Sequence, residues 1–390
     1  MKRFFSSLII LSISAGAIYY LYNTNPEFNQ FITKITTGES EPTIIDSASI
    51  PESPKLVNTT KSATNNSDRT NIIRDKYYKI DDYAKNTPNK YEQDIPTLAA
   101  YLITPATTEL EKVRALFTWV AVNISYDAAA YNSGIYADYS AENVLLTRKA
   151  VCEGYSNILN ALCNAVDIEC EKVVGYSKGY GYKNGATFSE TDHAWNVIKI
   201  DNTWKLFDAT WASGFATNKN GLMVTTDRFE PFWFDVHPKA FIFTHLPSES
   251  KWQLITNAIT MNTYTTLPKL NASFFKEGFD PAKIFDDAIS GKVKEFVEIY
   301  TVEFPVNISK LPYTFKLIRE KEIRFEVESA DAVEFVLIDD DIWHKFSRSN
   351  NMFTLTYKPR GKMIKIAAKQ KKNDTSYTTI IEYQVSDQTI

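Results

Sequence analysis

The stretch that decides the fold runs from Asp192 to Trp211 and reads DHAWNVIKIDNTWKLFDATW. Apolar and polar residues alternate on both sides of Asp201-Asn202, which is the pattern of two antiparallel strands joined by a tight turn. The pattern therefore predicts a β-hairpin. The two runs cover 192–200, which contains His193, and 203–211, which contains Asp208.

The length of the turn decides whether His193 and Asp208 meet. With Asp201-Asn202 as a two-residue loop, Ile200 faces Thr203, and the two side chains become diagonal neighbours within reach of a hydrogen bond. A three-residue loop would put them on opposite faces, because side chains alternate along a strand. A four-residue loop would separate them by two side-chain steps. The hairpin thus places a carboxylate behind an imidazole in one register only.

A helix is predicted to begin at a cysteine upstream of the hairpin, where residues 150–157 read AVCEGYSN. The apolar positions after it recur at helical spacing: Tyr155, Ile158, Leu159, Leu162 and Val166. Cys152 begins this helix on the inward face, where unpaired backbone N–H groups and the helix dipole favour a thiolate. Similar spacing predicts a helix over 108–124, with Thr108 as its N-cap.

Cysteine, histidine and aspartate together supply the roles needed for acyl transfer. A thiol needs a base to become a nucleophile, and the base needs an orienting group that fixes its tautomer. His193 would take the proton from Cys152 and return it to the leaving group, while Asp208 would bind the other ring nitrogen. The Cys152 N–H would meet the oxyanion, and Tyr126 and Trp195 are candidates for a second donor or the cleft wall.

Three motifs in this order resemble the transglutaminase-like superfamily, which has a papain-like core, and within it the bacterial branch related to kyphoscoliosis peptidase. The motifs are AVCEGY at 150–155, DHAWNV at 192–197 and WKLFDATW at 204–211. The resemblance covers about 108–211 and implies Cys152 as nucleophile, His193 as base and Asp208 as its orienting group. It also implies acyl-enzyme chemistry on amides of proteins or peptides, ending in hydrolysis or in transfer to an amine. A catalytically silent scaffold of the same fold is the alternative.

The predicted fold class is α+β, with a transglutaminase-like core over 71–250 in which the cysteine-bearing helix packs on an antiparallel sheet. A connecting region of helices and loops follows over 251–312, where amphipathic spacing predicts helices at 281–289 and 291–299. Short alternating runs separated by turn residues then predict a small Ig-like β-sandwich over 313–390. A domain of this kind usually binds or positions a partner protein.

The amino terminus carries a membrane or export signal. Residues 4–22 contain no charged side chain and follow Lys2-Arg3, which predicts a signal peptide or an N-terminal membrane anchor over 1–26. The small residues 15–17 fit a cleavage site, so both readings stay open. Residues 27–70, rich in Thr, Ser, Asn and Pro, predict a flexible linker. We therefore expect a secreted or membrane-anchored protein that acts outside the cytoplasm.

Composition and the remaining motifs narrow the partners. The formal net charge is −4, so no basic excess points to nucleic acid. No phosphate loop or dinucleotide fingerprint occurs, and we expect no cofactor and no metal. Cys163 and Cys170 are read as buried thiols, with a disulfide between them left open. His237 and His245 lack a matching carboxylate or thiolate, so they are read as structural residues or as the rim of the cleft.

Overall fold

The computed structural model describes residues 76–387 except 301 and 303. The predicted signal peptide or anchor, 1–26, and the predicted linker, 27–70, lie outside the described residues. Within the described part, no helix is long and apolar enough to cross a membrane. Two clusters of buried apolar side chains form the cores, one drawn from 77–241 and the other from 242–385.

The helices of the described chain are α1 (Tyr78–Lys85), α2 (Ile95–Leu102), α3 (Glu109–Asn123), α4 (Ala128–Ser133), α5 (Ala141–Thr147), α6 (Cys152–Asn164), α7 (Ala209–Ser213), α8 (Pro238–Phe241), α9 (Met261–Thr266), α10 (Ala272–Lys276) and α11 (Pro281–Ile289). The strands of the first core are β1 (Ser125–Tyr126), β2 (Lys149–Ala150), β3 (Cys170–Ser177), β4 (His193–Ile200), β5 (Thr203–Phe207), β6 (Gly214–Lys219) and β7 (Leu222–Asp227). The later strands are β8 (His245–Pro247), β9 (Glu298–Ile299), β10 (Lys316–Ile318), β11 (Ile323–Glu328), β12 (Glu334–Asp339), β13 (Ile342–Lys345), β14 (Ser347–Ser349), β15 (Met352–Tyr357), β16 (Met363–Lys369) and β17 (Thr378–Ser386).

The main sheet of the first core is antiparallel and has the order β5-β4-β3-β8, so the later strand β8 also belongs to it. Helix α6 packs against β3 and β4. Cys152 is the first residue of α6, and the predicted apolar face from Tyr155 to Leu162 is buried. The Asn196 amide on β4 donates to the Ser156 carbonyl at 3.1 Å, which ties this helix to the sheet. The predicted α+β core with a cysteine-bearing helix on an antiparallel sheet is confirmed.

The hairpin of β4 and β5 has the predicted register, with Ile200 opposite Thr203. Its two turn residues both have positive φ, 49° at Asp201 and 61° at Asn202. Asp and Asn tolerate this left-handed conformation better than other non-glycine residues, and turns of this hand match the twist of antiparallel strands. The two-residue loop therefore sets which side chains share a face.

Gly175 lies in the middle strand of the sheet, between β4 and β8. It pairs with His193 on one side and with Pro247 on the other. A Cβ atom here would lie 2.3 Å from the Leu246 carbonyl oxygen and 2.5 Å from Trp195 Cη2. These contacts leave no room for a side chain, so glycine is required for the close approach of β8 and Trp195.

The carboxyl-terminal part is an all-β region, as predicted. One sheet has the order β10-β17-β16-β12-β13, with β9 beside β17, and the other has the order β11-β15-β14. The helix predicted over 281–289 is confirmed as α11. The helix predicted over 291–299 is wrong. Gly291 takes φ 70° just after α11, which ends the helix. The residues that follow lead into strand β9, whose Ile299 pairs with Ile381.

We predict that Gly175→Ala lowers the free energy of unfolding by at least about 2 kcal/mol, because the added methyl group meets backbone atoms that cannot move aside. Urea denaturation at neutral pH measures the effect. Val174→Ala is the matched control, since the Val174 side chain is 44% exposed on the same strand. Equal stabilities of the two variants would contradict the packing account of Gly175.

Candidate active site

His193 and Asp208 meet as the hairpin register requires. The Nε2 atom of His193 lies 2.7 Å from Oδ2 of Asp208, and their side chains are 6% and 0% exposed. This separation is typical of a charge-assisted hydrogen bond. The imidazole therefore has a buried carboxylate behind it.

Asp208 accepts hydrogen bonds from two further groups. Its Oδ1 accepts from the Trp211 backbone N–H at 2.8 Å, because Asp208 is the N-cap of α7. Its Oδ2 also lies 3.0 Å from Nε2 of His245. The carboxylate is thus bound by two imidazoles and by the start of a helix.

His245 is the site residue that the sequence interpretation missed. It is fully buried at the start of β8 and pairs with Ser177 on β3, so it does not lie on the rim of the cleft. It lies 37 residues from Asp208 along the chain, and no motif spacing links the two. By contrast, His237 has the structural role expected, since its Nδ1 accepts from the Lys239 N–H at 3.1 Å at the start of α8.

Cys152 is partly exposed at the amino end of α6. Cys152 and His193 line the same cleft, and Cys152 is one of the groups that raise the pKa of His193. Because Nε2 of His193 is taken by Asp208, Nδ1 is the nitrogen left to meet the sulfur. The structure therefore places Cys152 and His193 on one cleft wall, with Asp208 behind His193.

His193 and Asp208 each favour the charged form of the other. Burial alone would lower the pKa of His193, but the charge and hydrogen bond of Asp208, with the hydrogen bond to Cys152, outweigh it and raise this pKa to about 10. Burial would likewise raise the pKa of Asp208, yet His193 and His245 hold it well below its usual range. The buried pair is therefore an imidazolium and a carboxylate at neutral pH.

His193, Asp208 and His245 bring two ring nitrogens and a carboxylate oxygen within 4.8 Å of one another, a spacing that also suits a metal ion. Both Nε2 atoms lie at hydrogen-bond distance from the same oxygen, Oδ2. A metal ion would need the lone pairs of both nitrogens, whereas the carboxylate needs their protons. The donor set therefore favours a hydrogen-bonded network, and the absence of a metal stays a prediction.

The two candidates for an oxyanion donor or cleft wall lie in different places. Tyr126 lines the cleft beside Cys152, and burial raises its pKa far above the usual range, so its hydroxyl stays protonated and able to donate. Trp195 is 1% exposed and lies beneath the site, with its ring centroid 6.0 Å from that of His193 and 5.2 Å from that of His245. Trp195 therefore supports the imidazoles and does not form the cleft surface.

A cleft of about 450 Å³ opens beside Cys152. The Gly- and Tyr-rich stretch 177–190, between β3 and β4, bounds it through Ser177, Gly179 and Tyr180. The Asn218 amide on the β6–β7 hairpin donates to the Tyr180 hydroxyl at 3.0 Å, so hairpin and loop meet at the cleft. Its wall also includes Tyr131, Asp192, Trp211, Phe215 and Arg228.

Cys163 and Cys170 are free thiols in the structure. A hydrogen bond to Cys170, together with burial, raises the pKa of Cys163 well above its usual value. The Asn196 amide also lies 3.4 Å from the Cys170 sulfur. Both are therefore buried structural cysteines, Cys163 near the end of α6 and Cys170 at the start of β3.

Residues 96–209 match the family model of the transglutaminase-like superfamily. These residues form a transglutaminase-like domain. The resemblance carried by the three sequence motifs is thereby confirmed, and the domain contains Cys152, His193 and Asp208. His245 lies beyond the matched residues.

Relatives of the transglutaminase-like domain occur in much longer proteins. The chain is 31% identical over 226 residues to the kyphoscoliosis peptidase of Homo sapiens, covering 57% of this chain and 34% of that protein. It is 24% identical over 209 residues to hillarin of Drosophila melanogaster, covering 51% and 25%. A crystal structure of a TGase is 23% identical, with 40% of this chain and 36% of that chain covered and a TM-score of 0.25. The chain thus spans about a quarter to a third of the two named relatives.

We predict that stability falls as the pH rises from about 6.5 to about 10. The folded state keeps the His193 proton until about pH 10, whereas an unfolded histidine loses it near the ordinary value of 6.5. Within this window His193 binds a proton in the folded state only, so its own contribution to stability, complete below 6.5, is lost by up to about 1.4 kcal/mol per pH unit.

Urea denaturation between pH 6.5 and 10 measures this slope, and His193→Gln should flatten it because glutamine does not titrate. His237→Gln is the matched control, since His237 lies outside the network. A slope that survives unchanged in His193→Gln would show that another group causes it.

Proposed function

We propose that the chain is a cysteine enzyme that transfers acyl groups from amide bonds of proteins, with Cys152, His193 and Asp208 as its catalytic residues. The observation that carries the proposal is the position of His193, which lines one cleft with Cys152 and is hydrogen bonded to the buried carboxylate behind it. This is the order of contacts that activates a cysteine nucleophile. The similarity to kyphoscoliosis peptidase supports the same chemistry.

The reaction follows from these contacts. His193 holds the thiol proton, and the Cys152 thiolate forms a C–S bond to the amide carbonyl. The proton then passes from Nδ1 of His193 to the leaving nitrogen, the C–N bond breaks, and a thioester remains. Water or an amine next gives its proton to His193 and attacks the thioester, which releases the thiolate. Asp208 stays ionised throughout and stabilises the imidazolium.

The oxyanion needs donors on the cleft side of the sulfur. The Cys152 N–H is at the first turn of α6, where backbone donors lack an intrahelical partner. The protonated hydroxyl of Tyr126 borders the same part of the cleft and supplies the second donor in this proposal.

The surface around the cleft favours protein substrates. Six of the 13 exposed large apolar side chains among the described residues lie on two segments that reach the cleft wall, one at Tyr131 and the other at Phe215. We call these six the apolar collar: Tyr131, Ile135, Tyr136, Phe215, Leu222 and Val224. The Asn132 side chain bonds both backbone polar atoms of Met223, at 3.0 and 2.9 Å, and so joins the two segments. Peptidoglycan peptides, with small and charged side chains, would leave this collar uncovered, whereas a protein segment with large apolar side chains would bury it.

We also propose that the enzyme acts outside the cytoplasm, on the basis of the uncharged run at 4–22. Digestion of the protein by protease added to intact cells tests this location. A partner protein on the carboxyl-terminal β region stays a prediction, and pull-down with the full chain would reveal it.

We predict that iodoacetamide alkylates Cys152 near neutral pH faster than it alkylates a free thiol, and that His193→Ala slows this reaction about ten- to thirtyfold. The reason is that the base supplies the thiolate, whereas a free thiol with a pKa of about 8.5 is only about 3% ionised at pH 7. Rates are measured by mass spectrometry of the labelled peptide.

His237→Ala is the matched control for the labelling experiment, because His237 only caps α8. If the wild-type rate equals that of a free thiol and His193→Ala does not change it, the enzyme proposal is contradicted. The alternative of a catalytically silent scaffold with the same fold would then be favoured.

We predict that Ile135→Ser combined with Tyr136→Ser raises the KM for β-casein about tenfold, because two apolar contacts to the substrate are lost. Mass spectrometry reads the product as new peptide termini, which indicate hydrolysis, or as an added amine, which indicates transamidation. Ile342→Ser is the control, since Ile342 is 62% exposed on β13, away from the cleft. The same KM in both variants would contradict the role of the collar.

A further inference from the structure

Asp208 has a second imidazole partner, which the proposed reaction does not use directly. His245 Nε2 lies 3.0 Å from Asp208 Oδ2, the oxygen that also binds His193 Nε2 at 2.7 Å. We propose that His245 is a positioning residue that holds this carboxylate and limits how strongly it binds the His193 proton. The catalytic role of His245 rests on the proposed function, whereas its contact with Asp208 is independent of that function.

The tautomer of His245 follows from its neighbours. An ionised carboxylate only accepts hydrogen bonds, so Nε2 of His245 carries a proton. Burial lowers the pKa of His245 to about 4, which leaves the ring neutral at neutral pH and Nδ1 without a proton. With Nδ1 unprotonated, the Thr244 hydroxyl 2.8 Å away is the donor of that contact, and the same hydroxyl lies 3.3 Å from the Phe241 carbonyl.

The ring of His245 cannot turn away from Asp208. It stacks on Phe241 with centroids 4.0 Å apart and packs against Trp211 at 4.3 Å. Trp195 and Trp233 close the remaining sides, with centroids at 5.2 and 5.5 Å. The groups of opposite or like charge that act on it are Asp208 and His193. His245 is therefore a fixed neutral donor inside an aromatic enclosure.

A donor of this kind changes the basicity of His193. When one carboxylate oxygen receives two N–H groups, its negative charge is shared, and it attracts each proton less strongly than it would attract one alone. Without the His245 N–H, Asp208 would hold the His193 proton more tightly. His193 would then be a weaker acid when it must give the proton to the leaving nitrogen. His245 thus keeps the imidazolium able to act as an acid.

The test compares His245→Phe, which fills the ring volume without a donor, with His245→Gln, which keeps an N–H. The pH dependence of Cys152 alkylation by iodoacetamide and the Hε1 NMR signal of His193 are measured on the full chain. His245→Phe should move the His193 titration up by about one pH unit, a tenfold change in proton affinity. His245→Gln should restore it to within a few tenths. The chain has only four histidines, which makes the NMR assignment direct.

Equal titrations of His193 in the wild type and in His245→Phe would overturn the proposal, as would equal shifts in the Phe and Gln variants, which would indicate packing alone. If His245→Phe does not fold, ¹⁵N NMR of the wild type decides: a neutral ring protonated at Nε2 from pH 5 to 9 supports the proposal, and a ring protonated at Nδ1 or charged overturns it. These readouts need no turnover. The proposed function fails separately, through an alkylation rate that His193→Ala leaves unchanged.

Discussion

The ionised carboxylate of Asp208 is the charge around which the transglutaminase-like domain is arranged. An unexposed carboxylate is costly unless hydrogen bonds replace its water, and removal of one partner from such a group commonly costs several kcal/mol. Asp208 receives three N–H groups, from His193, His245 and the backbone of Trp211. The aromatic side chains around these groups exclude water and strengthen each bond. Fold stability and a basic imidazole therefore depend on the same interaction.

The two imidazole donors lie on separate strands of the sheet, His193 on β4 and His245 on β8. β3 lies between β4 and β8, so His193 and His245 approach Asp208 from strands that do not touch each other. Gly175 faces His193 on β3 and has no side chain, and Trp195 fills the space above it. The two imidazole rings can then lie with centroids 5.3 Å apart on one carboxylate. A small residue in the middle strand thus permits a large polar network.

Local patterns predicted much of this site, because its central parts lie close together in the sequence. Alternation around Asp201-Asn202 placed His193 beside Asp208, and helical spacing placed Cys152 at the start of α6. His245 could not be found in this way, since β8 pairs with β3 across about 70 residues and one histidine has no spacing to match. Alternation put Trp195 on the face of His193, but only tertiary packing shows that Phe241 covers it. The helix predicted over 291–299 was wrong because its apolar spacing is compatible with both a helix and an irregular segment. The positive φ of Gly291 and the pairing of β9 with β17 determine the observed structure.

The two-residue turn at Asp201-Asn202 also bears on how the chain folds. His193 and Asp208 are 15 residues apart, and hairpins of this size close within about 1–10 μs. Contacts between β8 and β3 require a much larger loop to close, which is slower because more chain entropy is lost. These separations favour an order in which the carboxylate acquires its first imidazole while water still surrounds it. Dehydration would then complete around a His193–Asp208 pair that is already in contact, and His245 would join it when β8 pairs with β3.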